Sequence, residues 1–307
     1  MAENVIVTNH LTKDYGSKKG IFDVSLSVRK GEVFGYLGPN GAGKTTTIRH
    51  LMGFVRQNSG NACILGMDCF ADRDRIQKSL GYLPGEIALF DQMSGRAYLK
   101  FAADMKGMKD RSRMEELIEF FELNPEGKIR KMSKGMKQKI GIIAAFMHRP
   151  DILILDEPTS GLDPLMQNRL IELILQEKKR GATILLSSHI FEEIEKTCDR
   201  TAFIRDGRII AVEEMEGMVK KKKKQYDVTF ESEQKAQGFA ASLTGTDATA
   251  DGNHVIVSAI GKPGQILSQI AGADPMDVDI RTQSLEELFL HFYGAEEKAQ
   301  KSKEEGK

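Results

Sequence analysis

The nine residues "GPNGAGKTT", Gly38 to Thr46, place glycines at the first and sixth positions of an eight-residue frame and follow them with Lys44 and Thr45. Glycines let successive backbone N–H groups turn inward and wrap an anion. A lysine at that spacing adds a compact charge for the β- and γ-phosphates of a nucleotide, and the threonine hydroxyl suits Mg²⁺. The flanks agree. "EVFGYL" (32–37) reads as an apolar strand, and "TTTIRHLMG" after the glycines reads as a helix. The positive end of that helix dipole then faces the anion. Gly38, Pro39, Asn40, Gly41, Ala42, Gly43, Lys44, Thr45 and Thr46 are the expected phosphate cradle.

A second chemical stretch is "ILILDEPTSGLD" (152–163), a buried-strand pattern that ends in Asp156 and Glu157. Two acids at the end of a central strand are costly to desolvate unless something pairs with them. Taken alone they also suit the cap of a following helix. After a phosphate cradle in the same chain, Asp156 is expected to hold the metal and Glu157 to polarise an attacking water. In "LLSSHI", His189 stands just past another buried strand, where an imidazole can hydrogen-bond a γ-phosphate or that water.

These groups need a frame that brings strand ends together. "EVFGYL" (32–37), "DILIL" (151–155), "ATILLS" (182–187) and "TAFIR" (201–205) read as strands separated by helical stretches, an α/β pattern with a parallel sheet. "RDGRII" (205–210) carries the Asp-Gly signal of a hairpin. Residues 85–148 read as a helical insertion, with "RSRMEELIEFFELN" (111–124) strongly periodic. The five-lysine run in "MVKKKKKQ" (218–225) is expected to be exposed, as a linker or helix end or as a contact for anionic lipid. Beyond it, "YDVTF" (226–230), "HVIVSAI" (254–260) and "MDVDIR" (276–281) read as strands of a small α+β unit over 226–294. That unit ends in "SLEELFLHFYG", where Ser284 and Glu287 form a capping box, Leu285, Leu288, Phe289 and Phe292 share a face, and Gly294 suits the stop. Residues 295–307 have the composition of a disordered tail.

Composition sets outer bounds. Of 307 residues, 44 are Lys or Arg and 44 are Asp or Glu, so the chain lacks the basic excess of a nucleic-acid binder. Three cysteines without a C-x-x-C exclude a disulfide framework and a zinc site and read as reduced thiols of a cytoplasmic protein. The N-terminus has no signal-peptide core, and no apolar run approaches the ~20 residues of a membrane span. Action on a membrane is therefore expected to go through a partner.

Taken in order, the motifs resemble an ABC-type ATPase, the nucleotide-binding subunit of an ABC transporter, over roughly residues 4–216. The resemblance implies a P-loop NTPase domain over 1–217 that binds ATP and Mg²⁺. It also implies a signature segment, usually LSGGQ. "MSKGM", Met132 to Met136, stands in its place: Ser133 and Gly135 match, Lys134 and Met136 depart. In the family this segment faces the ATP held by a paired subunit in a head-to-tail dimer, so Ser133 and Gly135 are expected to act across that interface. Lys134 is expected either to add charge near the nucleotide or to point into solvent. Tyr15 matches the aromatic that stacks on adenine, a contact of ~1 kcal/mol. "SGLD" (160–163) matches the D-loop, with Asp163 linking the paired sites. The family's glutamine about forty residues after the lysine is replaced by Gly85, with Glu86 next to it, either a substitute metal ligand or an ordinary loop acid. "YLPGE" and the C-terminal extension resemble bacterial ATPases of the daunorubicin-resistance type, which implies a separate membrane permease and export. Two alternatives stay in view: a module that closes on ATP with little hydrolysis, and a soluble ABC ATPase of DNA repair or translation. The latter usually carries a coiled coil or tandem ATPase units, which this chain lacks.

Overall fold

The computed structural model describes residues 3–243, 247–259 and 263–290. The chain forms two compact units, Met1–Met215 and Glu216–Lys307. In the first, an antiparallel sheet joins β1 (Asn4–Asp14), β2 (Gly20–Arg29), β4 (Ser59–Ile64) and β5 (Met67–Asp68) in the order β2-β1-β4-β5. A six-stranded sheet holds β3 (Val33–Leu37), β6 (Leu80–Leu83), β7 (Ile152–Asp156), β8 (Thr183–Ser188), β9 (Arg200–Arg205) and β10 (Arg208–Glu214) in the order β10-β9-β3-β8-β7-β6. All its pairings are parallel except β10 with β9. Every residue of β3, β7 and β8 is buried, as expected of central parallel strands covered on both faces. The β9–β10 hairpin turns at Asp206 and Gly207, both at positive φ (48° and 74°), the backbone that Asp-Gly pairs favour.

Helix α1 (Lys44–Leu51) buries Ile48 and Leu51 in one core with Ile6, Leu11 and Ile21 of the antiparallel sheet and Phe34, Tyr36, Ile154 and Leu185 of the parallel one. Helix α2 (Arg73–Ser79) adds Ile76 to it. The antiparallel sheet, β6 and α2 lie outside the strands read from sequence. Helices in the expected insertion are α3 (Gly95–Met105), α4 (Ser112–Phe120) and α5 (Lys134–Phe146), with a 3₁₀ turn at Ile129–Lys131. Residues 85–94 carry no helix. Helix α6 (Pro164–Arg180) shows why a segment starts and stops where it does. Asp163 caps its N-terminus, Pro164 occupies the first turn, Lys178, Lys179 and Arg180 complete the last, and Gly181 ends it at φ 96°. Helix α7 (Phe191–Thr197) follows β8.

Helix α8 (Met215–Lys220) leads into the second unit, where β11 (Lys224–Thr229), α9 (Glu233–Ser242), β12 (Asp247–Asp251), β13 (His254–Ala259), α10 (Gly264–Gly272) and β14 (Asp277–Thr282) follow one another. The βαββαβ order and the antiparallel sheet β12-β13-β11-β14 are those of a ferredoxin-like unit. Tyr226, Val228, Val255 and Val257 bury one sheet face against Phe239, Ile266 and Ile270. The lysine run, expected over 218–225 as a linker or helix end, spans a helix end and a strand start. Lys220 ends α8, and Lys224 already pairs with Ala259 and Thr282 in the sheet. The alternation that buries Tyr226 and Val228 fixes this register, and the lysines before them follow it. Ser284 and Glu287 cap each other reciprocally, each backbone N–H donating to the other side chain at 3.0 Å. Leu285 and Leu288 are buried. Phe292, Gly294 and the expected tail 295–307 lie outside the described residues. The three cysteines are unpaired thiols, and burial pushes Cys69 and Cys198 up to about 12.

Candidate active site

The site forms where β3, β7 and β8 end. The turn after β3 delivers Lys44 to the first position of α1, and Gly43 before it stands at φ 110°. A Cβ there would meet Ile21 Cγ2 at 2.7 Å, so both backbone and packing require glycine. The Lys44 side chain is buried, and Nζ donates to the carbonyls of Gly38 (2.7 Å) and Pro39 (3.1 Å). Its third contact is Glu157 Oε1 at 3.2 Å. Three ammonium donors thus meet three oxygens.

Asp156, the last residue of β7, is fully buried. Its Oδ1 accepts from Ser187 Oγ at 2.5 Å, while Oδ2 is buried with no hydrogen-bond partner. Glu157 follows at φ 46°, a left-handed backbone that is uncommon for glutamate and directs it out of the strand. Its N–H is held by the Ser187 carbonyl and hydroxyl, both at 3.1 Å. His189 is partly exposed, with Nδ1 3.5 Å from Glu157 Oε2. Glu157 is therefore flanked by an ammonium and an imidazole.

Lys44, Asp156 and Glu157 border a cavity of about 630 Å³, whereas His189 is not among its lining residues and meets it only through Glu157. Asn40, Gly41, Gly43, Lys44, Thr45, Thr46, Asp156 and Glu157 line it, joined by Tyr15, Gly85 and Glu86. Of the other expected cradle residues, Gly38 and Pro39 act on Lys44 through their carbonyls. Ala42 is buried beneath the turn, its carbonyl accepting from Gly207 N at 3.0 Å. Tyr15 is 54 % exposed, with Lys13 Nζ 5.5 Å from its ring centroid. Gly85 lies close to the metal-ready carboxylate: a Cβ there would stand 3.3 Å from Asp156 Oδ2. Lys18, Lys19 and Arg49 also line the cavity and add positive charge that the sequence reading missed. The lysines in "GSKKG" were the available signal.

A metal fits these residues. The orphaned Asp156 oxygen, the Thr45 hydroxyl and the Glu86 carboxylate are all oxygen donors, the set a hard cation takes. Among the described residues no group of three or more His, Cys, Asp or Glu could hold a metal by itself. Mg²⁺ commonly keeps its waters and takes one or two protein ligands plus substrate phosphate.

Ser133, Gly135 and Asp163 stand apart from this cavity. Ser133 caps α5, its Oγ accepting from Met136 N at 3.2 Å. A Cβ on Gly135 would come 2.9 Å from the Gly161 carbonyl, and Lys134 Nζ donates to Ser160 Oγ at 3.1 Å. Lys134, exposed to solvent, ties the signature segment to residues 160–161. Gln138, buried behind it, donates to the Pro158 carbonyl at 2.8 Å. Asp163 Oδ1 accepts from Met166 N at 3.0 Å.

Comparison with known proteins fits this geometry. The family model described as "ABC transporter" matches residues 21–160. The bacitracin transport ATP-binding protein BcrA of Bacillus licheniformis is 33 % identical over 300 residues, which span 94 % of this chain and 97 % of that protein. This chain belongs to the ATP-binding subunits of ABC transporters. The daunorubicin resistance ATP-binding protein DrrA3 of Streptomyces coeruleorubidus is 32 % identical over 96 % of this chain and 97 % of its own length. A solved ATP-binding subunit of an ABC transporter superposes with a TM-score of 0.64 at 31 % identity, covering 70 % of this chain and 91 % of that one. The dimeric ABC transporter cassette MJ0796, at 21 % identity and a TM-score of 0.62, covers 68 % of this chain and 98 % of its own and bears on the fold alone. As an ABC cassette, the chain is an ATP-binding α/β protein of the P-loop type.

Proposed function

We propose that this subunit hydrolyses MgATP between two paired cassettes and drives a separate membrane permease, in the direction of export. The observation that carries the reading is the convergence of Lys44 and His189 on Glu157 beside the orphaned Asp156 oxygen. Phosphoryl transfer to water asks mainly for positioning and charge neutralisation. The cradle N–H groups and Lys44 hold the phosphates. A triphosphate entering the cavity competes with Glu157 for Lys44, which leaves the carboxylate to accept a hydrogen bond from water. His189 on its far side orients that water or the γ-phosphate. Tyr15 offers a ring face to adenine. Thr45 and Asp156, with Glu86 lining the same cavity, would hold Mg²⁺, which would supply charge neutralisation on the phosphates.

The signature segment supports pairing. Ser133, at the N-terminus of thirteen-residue α5, is available to an anion from outside its own chain. A homodimer or a pair with a similar subunit would bring it onto a neighbour's nucleotide.

A groove of about 550 Å³ supports a permease contact. Phe54, Phe90, Tyr98, Phe101 and Met105 line it, and all but Tyr98 leave 43–74 % of their surface exposed. Contiguous exposed apolar surface of this kind marks an interaction site. Among the described residues no helix is long and apolar enough to cross a membrane. We therefore place the subunit in the cytoplasm, held at the inner face of the membrane by that permease and using no nucleic acid. Export follows the bacitracin and daunorubicin relatives.

The deciding experiment compares MgATP turnover of the wild type and Glu157→Gln. Turnover in the wild type and its loss in the variant, with ATP still bound, supports hydrolysis. Equal turnover removes Glu157 from the mechanism, and negligible turnover in both favours a module that binds without hydrolysing.

A further inference from the structure

Glu193, on the first turn of α7, is an acid the mechanism does not use. Its side chain is 4 % exposed. Oε2 accepts from Ser188 Oγ at 2.5 Å and from Thr159 Oγ1 at 3.4 Å, while Oε1 is buried with no hydrogen-bond partner. The two donors belong to the two segments that serve the site. Ser188 directly precedes His189, and its hydroxyl also accepts from Ile190 N at 2.9 Å, so it fixes the chain on both sides of the histidine. Thr159 lies two residues after Glu157 and four before Asp163.

The end of β8 divides its labour by strand alternation. Ser187 turns to the acids Asp156 and Glu157, and Ser188 turns to Glu193. A carboxyl in this place is an expensive way to fill space, since a buried polar group costs the fold wherever an oxygen goes unpaired. Burial pushes Glu193 up to about 7, and the Glu157 charge adds to the rise, while the Ser188 and Thr159 hydroxyls pull it down. Because both contacts are hydroxyls donating to one oxygen, the amide oxygen of a glutamine can accept them as well.

We propose that Glu193 is a positioning residue that fastens the His189 segment to the Thr159–Asp163 segment, so that imidazole, Glu157 and D-loop take up their places together. It touches no nucleotide and acts only through its two hydroxyl partners. The inference rests on reading the chain as a MgATP hydrolase.

Steady-state hydrolysis by the full chain tests it with Glu193→Ala, Glu193→Gln, Glu193→Met, Thr159→Val and Ser188→Ala. Misplacement of a catalytic group costs up to ~10²-fold, so Glu193→Ala should lower kcat about tenfold or more with KM for MgATP within about twofold. Glu193→Gln, which keeps an acceptor for both hydroxyls, should restore most of the loss, whereas Glu193→Met, which fills the same space without one, should not. Thr159→Val combined with Glu193→Ala should be no worse than the worse single change. Full-rate Glu193→Ala, or a glutamine no better than alanine or methionine, overturns the inference. Should the alanine variant fail to fold, Thr159→Val and Ser188→Ala decide, because they leave the carboxyl in place: lowered kcat supports the strap, and wild-type kcat in both overturns it. A wild type without turnover overturns the hydrolase reading and this inference together, whereas an active wild type with a fully active Glu193→Ala overturns the inference alone.

Discussion

The cradle and the signature segment are made of like parts, which the chain uses in opposite ways. Each has glycine, a hydroxyl residue and a lysine at a helix N-terminus, the ingredients of an anion site. At α1 these parts line a cavity with Asp156 and Glu157, and a buried lysine answers Glu157 at 3.2 Å. At α5 the Ser133 hydroxyl caps its own helix, Lys134 reaches Ser160, and the nearest neighbour is the 160–161 backbone. The cradle has the acids and the metal oxygens; the signature has neither. In the proposed head-to-tail pair, the first would be a site short of one wall and the second the wall it lacks.

Substitutions can break this contrast or sharpen it. The largest effect is expected at Glu157. A positioned base is worth ~10²–10⁴-fold, so Glu157→Gln should lose turnover on that scale while retaining ATP in an equilibrium binding assay. Lys44→Ala should lose ~10²–10³-fold in turnover, the scale of a removed charge-stabilising donor, and should also weaken ATP binding. Ser133→Ala should sharpen the contrast. Turnover should fall about tenfold, the cost of a hydrogen bond of ~1.4 kcal/mol, while ATP binding to a lone subunit stays unchanged. The same change removes a helix cap, so a denaturant melt should show ~1 kcal/mol less stability. The smallest effect belongs to Phe101→Ala in the apolar groove. Its ATPase rate in solution should match the wild type, and copurification with the membrane partner should drop.

The cradle was readable because its chemistry requires a fixed local order, and Gly43 at φ 110° shows why no other residue serves there. Strands β3, β7 and β8 were readable as unbroken apolar runs, since both faces are covered. The antiparallel sheet was not. Strand β1 mixes buried Ile6 and Leu11 with exposed Asn9 and His10 and carries register shifts that interrupt a two-residue period. Strand β12, "DATAD", has little β propensity and is held by its partner β13. The lysine run hid a strand start because charge suggested solvent while Tyr226 and Val228 set the register. Around the site, Ser187 and Glu193 were out of reach for a different reason. Ser187 meets Asp156 from 31 residues away, and Glu193 meets Thr159 from 34 residues away. Although Ser188 is only five residues from Glu193, the closing of β7 against β8 is what brings these groups together.

The central claim is that one chain's cradle is completed by another's signature, and mixing two impaired variants tests it directly. In a head-to-tail pair, Lys44→Ala keeps its signature and Ser133→Ala keeps its cradle, so a mixed dimer rebuilds one intact site. Random exchange should then restore hydrolysis to about a quarter of the wild-type rate, since half the dimers carry one good site of two. A mixture that merely averages the two variants at every ratio, with subunit exchange demonstrated, would contradict the account.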